Sequence, residues 1–194
     1  MLCGSLTWVK YVLGVMCHKN TFRSKMEVLM ALNKIIIHWT AGTNKANGVD
    51  ILHYHYLIDG EGTVITGKYK PEDNLNCNDG KYAQHCGGGN TGAIGVSMCG
   101  MAGFTSSKNV GKYPLTKIQC ERMFKLCAGL CKRYKIAITP QTIMTHYEFG
   151  KAHPNTTSYG KIDIVYLPPY PDIAKYKIGD FIRGKIQWYF NKLT

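Results

Sequence analysis

The hydrophobic positions of the chain fall into short blocks separated by polar, glycine-containing stretches. Ile35-Ile36-Ile37-His38-Trp39-Thr40 is a brief β-branched run closed by Ala41-Gly42, the pattern of a buried strand, and it places His38 at the strand's carboxyl end. Leu52 to Asp59 and Thr63 to Thr66 are strand-like runs on either side of Gly60-Glu61-Gly62 and predict a hairpin. Residues 67 to 92 hold Gly, Asn, Asp and Lys with little periodicity and end in Gly87-Gly88-Gly89-Asn90, which predicts a long surface loop of the kind that often carries function. Ala93 to Cys99 resumes as a strand, and Thr142 to Thr145 is another, ending at His146.

The helical period is clearest after Thr116. Thr116-Lys117-Ile118-Gln119 has the spacing of a capping box, and the stripe 120, 124, 127, 131, 134 continues it for about five turns to near Lys135. After an irregular stretch from Gly150 to Gly160 and the corner Pro168-Pro169-Tyr170-Pro171, an amphipathic helix is expected from about Asp180 to Lys192. Strands interleaved with helices predict an α/β (α+β) fold, a single domain over 32–194 with a central mixed β-sheet flanked by helices. Residues 1–31 read as an N-terminal extension. Residues 6 to 17 faintly resemble a signal sequence, but Lys10 interrupts the apolar stretch, no basic residue precedes it and no Ala-x-Ala follows, so a cleaved leader is not expected, and Met26 or Met30 are alternative starts.

Composition changes this picture in two ways. The 194 residues include 24 Lys plus Arg against 12 Asp plus Glu, a formal charge of +12. The excess is spread along the chain, without the Lys and Arg stripe of a nucleic-acid footprint, so no nucleic-acid partner is expected and an anionic wall or outer-membrane surface is. No apolar run approaches the roughly 20 residues that span a bilayer. The cysteines, at 3, 17, 77, 86, 99, 120, 127 and 131, lack repeated Cys-x-x-Cys pairs. Cys120, Cys127 and Cys131 share the helical stripe and read as reduced core residues.

Two of the seven histidines, His38 and His146, each close a short apolar strand, the usual address of catalytic groups in an α/β sheet. A catalytic zinc needs a third protein ligand and an open position, and Asp163 in Gly160-Lys161-Ile162-Asp163 is a candidate. His53 and His55 form a His-x-His pair that on a strand would share one face, with Tyr54 on the other. If Tyr54 faces the metal, that pair is structural.

Five segments occur in order: Ile-Ile-Ile-His-Trp-Thr-Ala-Gly, Tyr-His-Tyr-Leu-Ile-Asp-Gly-Glu-Gly-Thr-Val, Asn-Thr-Gly-Ala-Ile-Gly-Val-Ser, Thr-His-Tyr-Glu and Gly-Lys-Ile-Asp-Ile. Together, over about residues 33 to 171, the chain resembles zinc-dependent N-acetylmuramoyl-L-alanine amidases of the amidase-2 family, which includes amidase-type phage endolysins and is similar to animal peptidoglycan recognition proteins. The resemblance implies that His38, His146 and Asp163 bind zinc (Zn2+) at the strand ends, that Tyr54 and Lys161 are the catalytic helpers, and that Trp39, His85 and Asn90 line the substrate groove. It implies hydrolysis of the amide between the lactyl group of N-acetylmuramic acid and L-alanine of the peptidoglycan stem peptide. Zinc suits that task because it lowers the pKa of a bound water and polarises a carbonyl.

One position departs from the family pattern. Where several branches carry a Glu just after Ile-Gly-Val, this chain has Ser97, a poor base at neutral pH. Alternatives to the hydrolase are a non-catalytic peptidoglycan-binding module, a recycling amidase acting on soluble muropeptides, and a basic nucleic-acid-binding domain. Retention of all three ligands and Lys161 favours the enzyme. No separate wall-binding domain is visible, which resembles single-domain endolysins. A monomer of phage or prophage origin, made in the cytoplasm and acting on the wall after release, is therefore expected.

Overall fold

The computed structural model describes residues 31–193. Residues 1–30 of the extension expected over 1–31, Cys3 and Cys17 among them, lie outside the described residues. Five strands, β1 (Lys34–Trp39), β2 (Tyr56–Ile58), β3 (Val64–Thr66), β4 (Ala93–Met98) and β5 (Ile143–Thr145), form one sheet in the order β3-β2-β4-β1-β5. The pairs β2·β4, β4·β1 and β1·β5 are parallel, and β3 runs antiparallel on the edge. The fold is α+β with a mixed sheet, as the alternation of periods predicts.

The strand period of two divides the sheet between two tasks. Ile35, Ile37 and Trp39 of β1, with Ile94, Val96 and Met98 of β4, point into the main core. Helices α2 (Lys117–Tyr134) and α4 (Ile178–Phe190) cover that face through Cys120, Met123, Phe124 and Cys127 of the first and Ile178, Ile182 and Ile186 of the second. The opposite face carries Ile36 and Ala93, packed with Cys86 and Phe149. On that face β1 ends in His38, whose register partner on β4 is Ser97.

Local chemistry sets the element ends. Thr116 Oγ1 accepts from the Gln119 amide while Gln119 Oε1 accepts from the Thr116 amide, the reciprocal cap read in the sequence. The buried Gln119 Nε2 also donates to the carbonyls of Ile58 and Cys99, tying α2 to the ends of β2 and β4. At its far end α2 stops at Lys135, held left-handed at φ 54°.

Two expectations need correction. Leu52 to Asp59 is not one strand: the short helix α1 (Gly48–His53) occupies its first part. Asn47 caps that helix by accepting from the amides of Val49 and Asp50, and Asp50 accepts in return from the Asn47 amide. This Asn-x-x-Asp reciprocity outweighs the strand propensity that follows it. The stretch 67 to 92 is not wholly a surface loop either. It contains a 3-10 turn at Pro71–Leu75, and Asn74, Ala83, His85 and Cys86 are buried beneath it against the site face of the sheet. The terminal helix runs Ile178–Phe190, two residues earlier than expected, and docks on the domain.

Candidate metal centre

His38 is fully buried at the end of β1. His146 follows β5 directly as the first residue of α3 (His146–Ala152), whose cap is again reciprocal: Thr145 Oγ1 accepts from the Glu148 amide and Glu148 accepts from the Thr145 amide. Because β1 and β5 are adjacent and parallel, their carboxyl ends bring the two imidazoles together, with ring centroids 4.5 Å apart. Asp163 joins them from the segment after α3. Its backbone carbonyl accepts from the Tyr147 amide, and the next residue, the buried Ile164, sits at φ 64°.

The three donor atoms form a nearly equilateral triangle. His38 Nδ1 is 3.1 Å from His146 Nδ1 and 3.3 Å from Asp163 Oδ2, and His146 Nδ1 is 3.1 Å from the same oxygen. A tetrahedral ion with bonds of about 2.0–2.1 Å separates its donor atoms by about 3.3 Å, so the set fits zinc with one position left open. Electrostatics agree. Burial alone would raise the Asp163 carboxyl, but its contact with the two imidazoles outweighs this and holds it below the usual carboxylate range. Burial lowers His38 to about 4, so it is neutral at pH 7.

The tautomer of His146 is fixed from behind. Ser158 Oγ donates its single proton to the Gly87 carbonyl at 2.8 Å, so its 3.0 Å contact with His146 Nε2 is one in which the ring N–H donates. His146 Nδ1 therefore presents a lone pair to the triangle. Cys86 Sγ, 3.3 Å from Ser158 Oγ, adds its thiol proton to that hydroxyl, and burial keeps the thiol protonated by raising it to about 11. Ser158 and Cys86 had no signal in the sequence, since one lies in an irregular stretch and the other in an aperiodic one.

Tyr54 caps α1 in extended conformation, and its ring lies 5.2 Å from that of His38. Burial, followed by the Asp163 charge, raises its hydroxyl well above the ordinary phenol range, so it is a proton donor at neutral pH. The Ser97 hydroxyl beside it is buried without a full hydrogen bond. The period-two argument around Tyr54 does not apply, because His53 is helical and its Nδ1 meets the Val49 carbonyl, while only His55, just before β2, is buried. His55 is structural nonetheless. Its Nδ1 accepts from the Gly95 amide, and its Nε2 donates to Asn74 Oδ1.

The remaining site residues scatter. Lys161 is exposed, its amide donating to the Ser158 carbonyl, and it pairs with no carboxylate among the described residues. Trp39 does not face a groove: strand alternation turns it away from His38 into the core, against Phe104 at 5.0 Å. Asn90 also turns inward, its side chain accepting from the Cys86 amide and its carbonyl from Asn74, so it shapes the loop. His85 is buried behind His38, with its Nδ1 3.2 Å from His38 Nε2. A cleft of about 450 Å³ is lined by Ile162, between Lys161 and Asp163, and by Phe104, Ser106, Tyr166 and Lys175.

These features define an α+β protein with two histidines and one carboxylate gathered as a candidate metal site at the carboxyl ends of parallel strands. A family model described as N-acetylmuramoyl-L-alanine amidase matches residues 29–161, more than half of the chain, and the chain belongs to that family, amidase-2. The match includes His38 and His146 and ends two residues before Asp163. Among solved structures, the N-acetylmuramoyl-L-alanine amidase LysC from Clostridium intestinale URNW is similar at 18% identity, with a TM-score of 0.41, over 61% of this chain and 72% of that one. No curated protein matches.

Proposed function

We propose that the protein is a zinc-dependent peptidoglycan hydrolase that cuts the amide between the lactyl carboxyl of N-acetylmuramic acid and the amino group of L-alanine. The observation that carries this reading is the triangle of His38 Nδ1, His146 Nδ1 and Asp163 Oδ2 at 3.1–3.3 Å, with the Tyr54 ring against it. Bound there, zinc would supply Lewis acidity and an acidified water.

The chain's own groups do the rest. Hydrolysis adds water oxygen to the carbonyl carbon, breaks the C–N bond and leaves a carboxylate and the free amine of L-alanine. As negative charge grows on the former carbonyl oxygen, Tyr54, kept protonated by burial, donates a hydrogen bond toward it. Lys161 on the loop leading to Asp163 supplies a cation that favours this charge over the neutral amide. Ser97 is too weak a base to take the proton from water. The cleft bounded by Ile162, Tyr166 and Lys175 receives the remainder of the substrate.

The net charge of +12 favours an anionic wall as the working surface, and we propose a lytic role on intact wall, as a phage or prophage endolysin, in preference to recycling of soluble fragments. Incubating the protein with isolated peptidoglycan, with and without chelator, and analysing the released stem peptides by mass tests the reaction. Metal-dependent appearance of stem peptides with free L-alanine amino termini is expected; cleavage at a glycosidic or peptide cross-link bond instead would refute it.

A further inference from the structure

His85 is buried directly behind His38, and its surroundings define its hydrogens. Its ring is buried, packed edge-on to His38 at 5.2 Å and to His55 at 5.6 Å. Room for the ring exists because β4 carries Gly95 there: a Cβ at that position would stand 2.5 Å from His85 Cγ. One nitrogen, Nδ1, is 3.2 Å from His38 Nε2. The other, Nε2, is buried and has no hydrogen-bond partner among the described residues. His38 meets the ligand triangle through Nδ1, so as a neutral ligand it carries its proton on Nε2, and the His85 Nδ1 that faces this N–H is a lone pair. His55 cannot reverse this assignment, since its Nδ1 is used by the Gly95 amide and its own N–H by Asn74.

We infer that His85 is a positioning residue: its Nδ1 accepts the Nε2–H of His38, which locks His38 in the tautomer whose Nδ1 lone pair faces His146 and Asp163. Ser158 does the same for His146 from the opposite side. Each ligating imidazole is thus held by a hydrogen-bond acceptor behind it, one a hydroxyl and the other a second imidazole. The role differs from the groove-lining one that the sequence resemblance implies, and it explains a buried imidazole that touches no substrate cleft.

The inference rests on the three-ligand reading, and the test separates the two. Nitrogen-15 spectra of histidine in the full chain, without and with zinc, report which ring nitrogens are protonated. His38 is expected as the Nε2–H form in both, and His85 as Nε2–H with a bare Nδ1. Zinc affinity is then measured by chelator competition in His85→Leu, which removes the acceptor, and in His85→Asn, whose amide oxygen replaces Nδ1. A loss of about 10- to 100-fold in the Leu variant, largely restored in the Asn variant, is the expected result. Should the Leu variant fail to fold, the wild-type spectra and the Asn variant still decide. A proton on His85 Nδ1, or unchanged affinity in the Leu variant, would overturn the role of His85. A wild-type chain that binds no zinc would overturn the metal reading itself.

Discussion

At the residue scale the site is held by a few bonds that leave each ligand one orientation. Ile164, directly after Asp163, is a β-branched residue in the left-handed region at φ 64°, a conformation that costs roughly 1–2 kcal/mol and persists because its buried side chain is held by the core. Its effect is to turn the chain sharply at the carboxylate. Asp163→Asn keeps the shape of that side chain and removes its charge. It should weaken zinc binding by more than about 100-fold, the upper end for an outer-shell partner, with the fold retained by circular dichroism. Tyr54→Phe removes only a hydroxyl. If that hydroxyl donates to the developing charge, kcat falls by about 10²- to 10⁴-fold while zinc affinity is unchanged. The ligands were legible in the sequence because each closes a hydrophobic run or sits in a short motif. Ser158 and the inward roles of His85 and Asn90 were not, because they depend on which buried acceptor lies opposite, and no local pattern encodes that.

At the scale of elements, the loop of residues 67–92 is anchored by a polar stitch through the sheet. His55 on the approach to β2 reaches Asn74, whose amide donates to the carbonyls of Ala83 and Asn90. Burial lowers His55 to about 4, whereas an unfolded histidine titrates near 6.5. Between those values the unfolded chain binds more protons, so the stitch is fully stabilising above about pH 6.5 and loses on the order of 3 kcal/mol as pH falls toward 4. His55→Gln should therefore flatten the acid side of the stability profile, measured as denaturation midpoint against pH; an unaltered slope would exclude the residue as a source. On the other face, Arg183 of α4 donates to the Ile143 carbonyl and to both oxygens of Glu148, coupling α4 to the strand and helix that carry His146. This pair is only partly shielded, so Arg183→Ala should cost about 2 kcal/mol in chemical denaturation, below the range for a fully buried pair. The strands and α2 were readable from period and capping. The misreading of α1 came from weighing Leu52 to Asp59 by propensity when the cap at Asn47 decides the start, and the loop was taken as exposed because composition does not reveal the buried histidine and asparagine that hold it down.

For the whole molecule, the two faces of one sheet divide structure from chemistry. The side covered by α2 and α4 supplies the apolar core, and the other collects imidazoles, a carboxylate and a phenol at the strand ends. The sequence gives this division only as alternation in β1, where all three isoleucines are buried and the face of His38 is set by counting from them. The cationic excess belongs at this scale as well: sedimentation of the protein with insoluble wall should weaken steeply as salt rises from about 0.05 to 0.5 M, and salt-independent binding would show that charge does not drive it. α4 carries Trp188, half exposed between Lys185 and Lys192, on its outer side, and it docks through its isoleucines. The central claim is that one metal ion, held by His38, His146 and Asp163, makes the hydrolase. Its most direct test titrates zinc into metal-free protein and follows bound metal and stem-peptide release in the same samples. The account predicts one zinc per chain, with release rising in proportion and levelling at one equivalent; full release from metal-free protein, or zinc uptake that leaves release unchanged, would contradict it.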